Sequence, residues 1–174
     1  MKWLKTILIG LLATFVMDLA MNFNMMVFEV APTNIHPAAA FLYNLGIESK
    51  SLSVLLHYSY GTLWALVFVY AFEQKFSINK AVVFSTVLWL FMMIVYSPVI
   101  GWGFFGISNA QLLNPTHPLF LSSTTSYLYM TLSVHIMYGI SLGILSMKII
   151  SKRSSKTLKH QSVSTVSNNQ KSTK

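Results

Sequence analysis

The 174-residue chain contains no cysteine, which excludes disulfides, thiolate metal ligands and a cysteine nucleophile. Acidic residues are almost as scarce, limited to Asp18, Glu29, Glu48 and Glu73. There is no G-x-S-x-G, no H-E-x-x-H, no glycine-rich phosphate loop and no D-x-D cluster, so the sequence does not point to an enzyme. Only 9% of residues are charged and 54% are hydrophobic. With a mean hydropathy of +0.59, this composition lies outside that of ordinary soluble domains.

The abundant residues are apolar and fall in runs. Four stretches, near residues 6–28, 52–72, 81–100 and 126–150, are each about 20 residues or longer, enough at about 1.5 Å per residue to cross a hydrocarbon core of about 30 Å. They predict an all-α membrane protein, a bundle of four transmembrane helices with the lipid bilayer as its first partner. The net charge of +8 does not call for nucleic acid, because the basic residues lie at topological positions. Lys2 and Lys5 precede the first span, Lys75 and Lys80 separate the second from the third, and Lys148, Lys152, Arg153, Lys156 and Lys159 follow the fourth. The longer connections, 29–51 and 101–125, share a single lysine, Lys50. By the positive-inside rule both termini face the cytoplasm. A cleaved secretory signal is the alternative for the first span, but no A-x-A-like site follows it and Asp18 and Asn22 fall where cleavage would occur. Residues 151–174, rich in Ser, Lys, Asn and Gln, predict a disordered cytoplasmic tail.

A repeated motif organises the spans. His57-Tyr58-Ser59-Tyr60-Gly61 in the second is echoed by His135-Ile136-Met137-Tyr138-Gly139 in the fourth. Pro32-Thr33-Asn34-Ile35-His36-Pro37 and Pro115-Thr116-His117-Pro118 precede them in the same order. The bundle therefore reads as two duplicated helical hairpins. Gly61 with Ala65, and Gly139 with Gly143, are small-xxx-small steps that let helix backbones approach closely. Pro98, Gly101 and Gly103 should kink and end the third span, and the aromatic outer loops, with Phe41, Tyr43, Trp102, Phe104 and Phe105, predict short helices on the membrane surface.

Thr14, Asp18 and Asn22 recur at i, i+4 and i+8, placing three polar groups on one face of the first helix. An ionisable group at that depth costs about 2.5–3.5 kcal/mol on insertion scales unless it is paired or reaches water. Asp18 therefore requires a partner, and counting along each helix puts His57 and His135 at similar depth. The expected cluster is Asp18, Asn22, His57, Tyr60, Tyr96, His135 and Tyr138. It has two readings, a proton- or cation-handling site and a set of hydrogen bonds that merely fixes helix packing. His36, His57, His117 and His135 add a metal alternative, and His57 facing His135 across the bundle a haem alternative, although no pair has local ligand spacing.

The run Phe91-Met92-Met93-Ile94-Val95-Tyr96-Ser97-Pro98-Val99-Ile100-Gly101, the Pro-containing loop after it and His135-x-x-Tyr138 resemble the YagU-like bacterial inner-membrane proteins. So does the opening Gly10-Leu11-Leu12-Ala13-Thr14-Phe15-Val16-Met17-Asp18. The resemblance covers about residues 6–150. It implies a small four-helix inner-membrane protein with a link to acid resistance and carries over no catalytic residues. The sequence alone thus leads to three functional expectations: a small transport or proton-handling protein acting as a homodimer, a metal- or haem-binding protein, and a structural or partner-binding subunit.

Overall fold

A computed structural model of the chain describes residues 2–27, 31–73 and 75–151. Phe28 and Glu29, and the expected tail with Lys152, Arg153, Lys156 and Lys159, lie outside the described residues. The described chain is helical. Four helices are long and apolar enough to cross a membrane: α1 (Lys2–Val27), α3 (Lys50–Phe72), α4 (Ile78–Val99) and α5 (Thr124–Ile150). A short helix, α2 (Pro37–Asn44), precedes α3. The long helices begin a few residues before the apolar runs because serines cap them. Ser49, Ser77 and Ser123 each accept a backbone N–H from the first turn of α3, α4 and α5.

α1 packs along α3 on one side and along α5 on the other, and α5 packs along α4. The remaining seam, between α3 and α4, is closed at the end carrying the 73–77 connection by stacked rings. Phe84 of α4 lies 5.4 Å from Phe68 and 6.1 Å from Trp64, both on α3. Around these rings sits one apolar core, with Ile9, Ala13, Ala65, Phe76, Ala81, Tyr138 and Leu142. A second core lies beneath the long connection between α4 and α5, where Ala40, Met93, Ile100, Trp102, Leu121 and Tyr127 are buried. The expectation for the aromatic loops therefore needs correcting at Trp102, which is buried at 0% exposure. The indole N–H of Trp102 donates to Leu119 O at 3.1 Å, which fastens the loop inward.

Pro98 does not stop α4. Lacking an N–H, it cannot donate one turn back, and the helix adjusts by widening to a π turn over Met92–Tyr96, with Ser97 N reaching Met92 O. The helix then ends at Val99, and the chain turns through Gly101 and Gly103 at φ of +91° and +69°.

The small residues set how closely the helices approach. Gly61 lies against Thr14 of α1, and Gly139 against Ala81, Val82 and Ser85 of α4. A Cβ on Gly139 would sit 2.8 Å from Ala81 O and 2.9 Å from Val82 Cα, both backbone atoms, whereas one on Gly61 would meet only the Thr14 side chain. Gly139→Ala should therefore destabilise the protein by about 1–3 kcal/mol, and Gly61→Ala by less. Thermal unfolding in mild detergent, followed by size-exclusion chromatography, checks the order, and an equal loss at both sites would contradict the packing described.

Candidate functional site

The polar face of α1 turns toward α3. Thr14 is buried against Gly61, and one turn later Asp18 Oδ1 lies 2.9 Å from His57 Nε2. A carboxylate accepts, so Nε2 carries the proton and Nδ1 keeps its lone pair. The pair is partly shielded, with side-chain exposures of 25% for Asp18 and 12% for His57. His36, just before α2, completes the group: its ring centroid is 4.2 Å from that of His57, edge to face. His36 also caps α2, its Nδ1 accepting from Ala38 N at 3.3 Å. Burial and the neighbouring His57 hold the His36 pKa well below its ordinary 6.5 despite the opposing charge of Asp18, so this imidazole is neutral at neutral pH. Tyr58 adds a hydrogen bond to Asp18.

Two cavities meet at this group. A vestibule of about 780 Å³ opens beside α2 and the start of α3, lined by Asp18, Asn22, Glu48, Lys50 and Tyr58 among others. A narrower cleft of about 390 Å³ runs between α3, α4 and α5, with mostly apolar and aromatic walls that include Tyr60, Trp64, Met92 and Tyr138. His36, His57 and Met21 line both cavities, so the imidazole pair stands where the vestibule and the cleft meet.

The expected residues are thus divided. Asp18 and His57 meet, and Asn22 stays nearby, its amide donating to Asp18 O at 2.9 Å. Tyr60, Tyr96, His135 and Tyr138 line the cleft instead. His135 Nδ1 binds Thr131 O on its own helix at 2.7 Å, Tyr138 donates to Gly61 O at 2.6 Å, and Tyr96 donates to Pro37 O at 3.1 Å. The four histidines do not converge. The two proline-flanked loops do meet, since Asn34 donates to Pro115 O and His117 O at 2.7 and 2.9 Å. His117 itself accepts from Leu119 N and packs 6.0 Å from Tyr43. Among the described residues, the group with the proximity of metal ligands is Asp18, His36 and His57, their ligand atoms within 4.8 Å of one another. Sequence reasoning left His36 and Tyr58 out of the carboxylate cluster. Tyr58 follows His57 directly and so lies off the i, i+3, i+4 stripe that His57 shares with Tyr60 and Gly61, while His36 reaches the site only through the fold of α2.

No family model, curated protein or solved structure matches this chain.

If the Asp18–His57 contact is as close as described, the two side chains are energetically coupled. A double-mutant cycle of Asp18→Ala and His57→Ala should give a coupling of about 1 kcal/mol, within the roughly 0.5–3 kcal/mol typical of touching polar pairs. Additive losses in thermal stability would show that the pair does not form.

Proposed function

We propose that the chain is a four-span membrane protein that moves protons or small cations through Asp18, His57 and His36. Membrane insertion is supported by the outward placement of the apolar side chains: Leu4, Phe23, Leu63 and Val83 are 73, 58, 55 and 64% exposed, an arrangement suited to lipid. The lysines at the ends of the spans argue for cytoplasmic termini. The resemblance to YagU-like proteins argues for the inner membrane of a bacterium and fits the expected tie to acid stress.

The observation that carries the functional reading is the position of the pair. A carboxylate in an apolar helix is bonded to an imidazole that borders both a polar vestibule and an apolar cleft. Histidine changes charge near neutrality and is suited to passing a proton between two such spaces, with Asp18 stabilising the charged ring. His36 neighbours His57 and forms the next station. The open part of the α3–α4 seam is where a second copy would complete a pathway too short for one four-helix unit, so a homodimer is proposed, to be tested by crosslinking in native membranes.

Asp18→Asn is the informative change, since the amide oxygen still accepts from His57 while the charge is lost. In proteoliposomes with an entrapped pH-sensitive dye and an imposed potential, proton flux should fall at least about tenfold. Flux equal to that of the unmodified protein would reject the proposal.

A further inference from the structure

The cavities, the exposed faces and the remaining buried polar groups lead back to one place where three donors from separate parts of the chain converge. We propose that Asp18, His36 and His57 form a binding site for a divalent transition-metal ion such as Zn²⁺ or Co²⁺, entered from the vestibule. This rests on the cluster used in the proposed function and narrows the cation to that class.

The donor set is two imidazoles and one carboxylate. Imidazole nitrogen favours zinc, cobalt, nickel and copper over magnesium and calcium, which prefer oxygen. Ligand bonds to such an ion are about 2.0–2.2 Å long, so the ligand atoms stand roughly 3–3.5 Å apart around a tetrahedral centre. The three groups lie within 4.8 Å of one another before any ion is bound, and Asp18 Oδ1 and His57 Nε2 are already 2.9 Å apart. A small separation of that pair admits the ion once the His57 Nε2 proton is exchanged through the vestibule for one at Nδ1, which leaves a neutral imidazole with Nε2 free to ligate. At His36 the proton moves to Nδ1 and frees Nε2 as the ligand. Only the long 3.3 Å cap from Ala38 N is given up.

The surroundings fit an exchangeable ion better than a permanently enclosed one. Three protein ligands leave a fourth position open, and the vestibule supplies water to fill it. On that side the charged and titratable neighbours are Tyr43, Glu48, Lys50 and Tyr58. On the cleft side they are Tyr60, Tyr96, His135 and Tyr138.

The test uses the full chain, untagged, in mild detergent after treatment with chelator. Titration with Co²⁺, read by its d–d absorption, and equilibrium dialysis against Zn²⁺ should give one ion per chain. Affinity should fall at least about tenfold in His36→Gln, His57→Gln and Asp18→Asn, and should be unchanged in His117→Ala and His135→Ala. Zn²⁺ should also raise the thermal midpoint of the unmodified chain and not that of His36→Gln, which separates ligand loss from misfolding. Absence of stoichiometric binding, or binding that survives all three changes, would overturn the site. Binding without flux in liposomes would keep the metal site and remove the proton-relay reading. Flux without binding would do the reverse.

Discussion

A carboxylate placed halfway along an apolar helix must be neutralised, hydrated or paired, and the arrangement of α1 follows from how Asp18 meets that demand. One turn before it, Thr14 lies in the hollow left by Gly61, and this contact brings α1 and α3 close enough for Asp18 to reach His57. The glycine and the ion pair form one device. A side chain at position 61 would meet Thr14, and a large one would part α1 from α3 and separate Asp18 from His57, where an unpaired charge is costly.

The same pairing accounts for the shape of the interior. α3 is held to α1, and at one end the rings of Trp64, Phe68, Phe72 and Phe84 bridge the gap between α3 and α4. At the other end the gap remains as the cleft. α2 lies across the entrance to this space, and its capping residue, His36, is pressed against His57. The division into a polar chamber and an apolar one is therefore a product of helix packing, with the imidazoles left at the boundary.

Much of the fold was legible in the chain. Hydropathic runs gave four helices, and serines at 49, 77 and 123 mark where they start. The i, i+4 spacing of Thr14 and Asp18 identified the face of α1 that meets α3, but the stripe does not stay inward, since Asn22 is exposed and Asn24 is buried in its place. The site was only half legible. Asp18 and His57 follow from the cost of an isolated charge and from matched depth. His36 depends on a turn and a short helix that bring it back over α3, and periodicity carries no information about such a path. His135 was placed with Asp18 by depth alone, yet its ring nitrogen is taken by Thr131 O one turn earlier on the same helix. Local hydrogen bonds of this kind compete with long-range ones and leave no mark in spacing. Trp102 was assigned to the surface because aromatic residues near span ends often lie there. Its burial reflects the indole N–H finding Leu119 O within the loop.

The asymmetry between the two motifs shows how the second half of the chain serves the first. By the offset that carries His57 onto His135, Tyr96 corresponds to Asp18, and it holds no charge. Its hydroxyl binds Pro37 O, next to His36, and so secures the loop that delivers that imidazole to the site. Tyr138, the counterpart of Tyr60, donates to the carbonyl of Gly61, at the point where α1 and α3 come closest. His135 is turned into its own helix, its Nδ1 2.7 Å from Thr131 O. Each position that could have repeated the first site instead braces it. The Asp18 carboxylate then faces His57 and His36, with Tyr96 rather than a second acid at the matching position of α4. The cluster is thus confined to one half of the chain, and the packing contributed by the other half is what holds its members in reach.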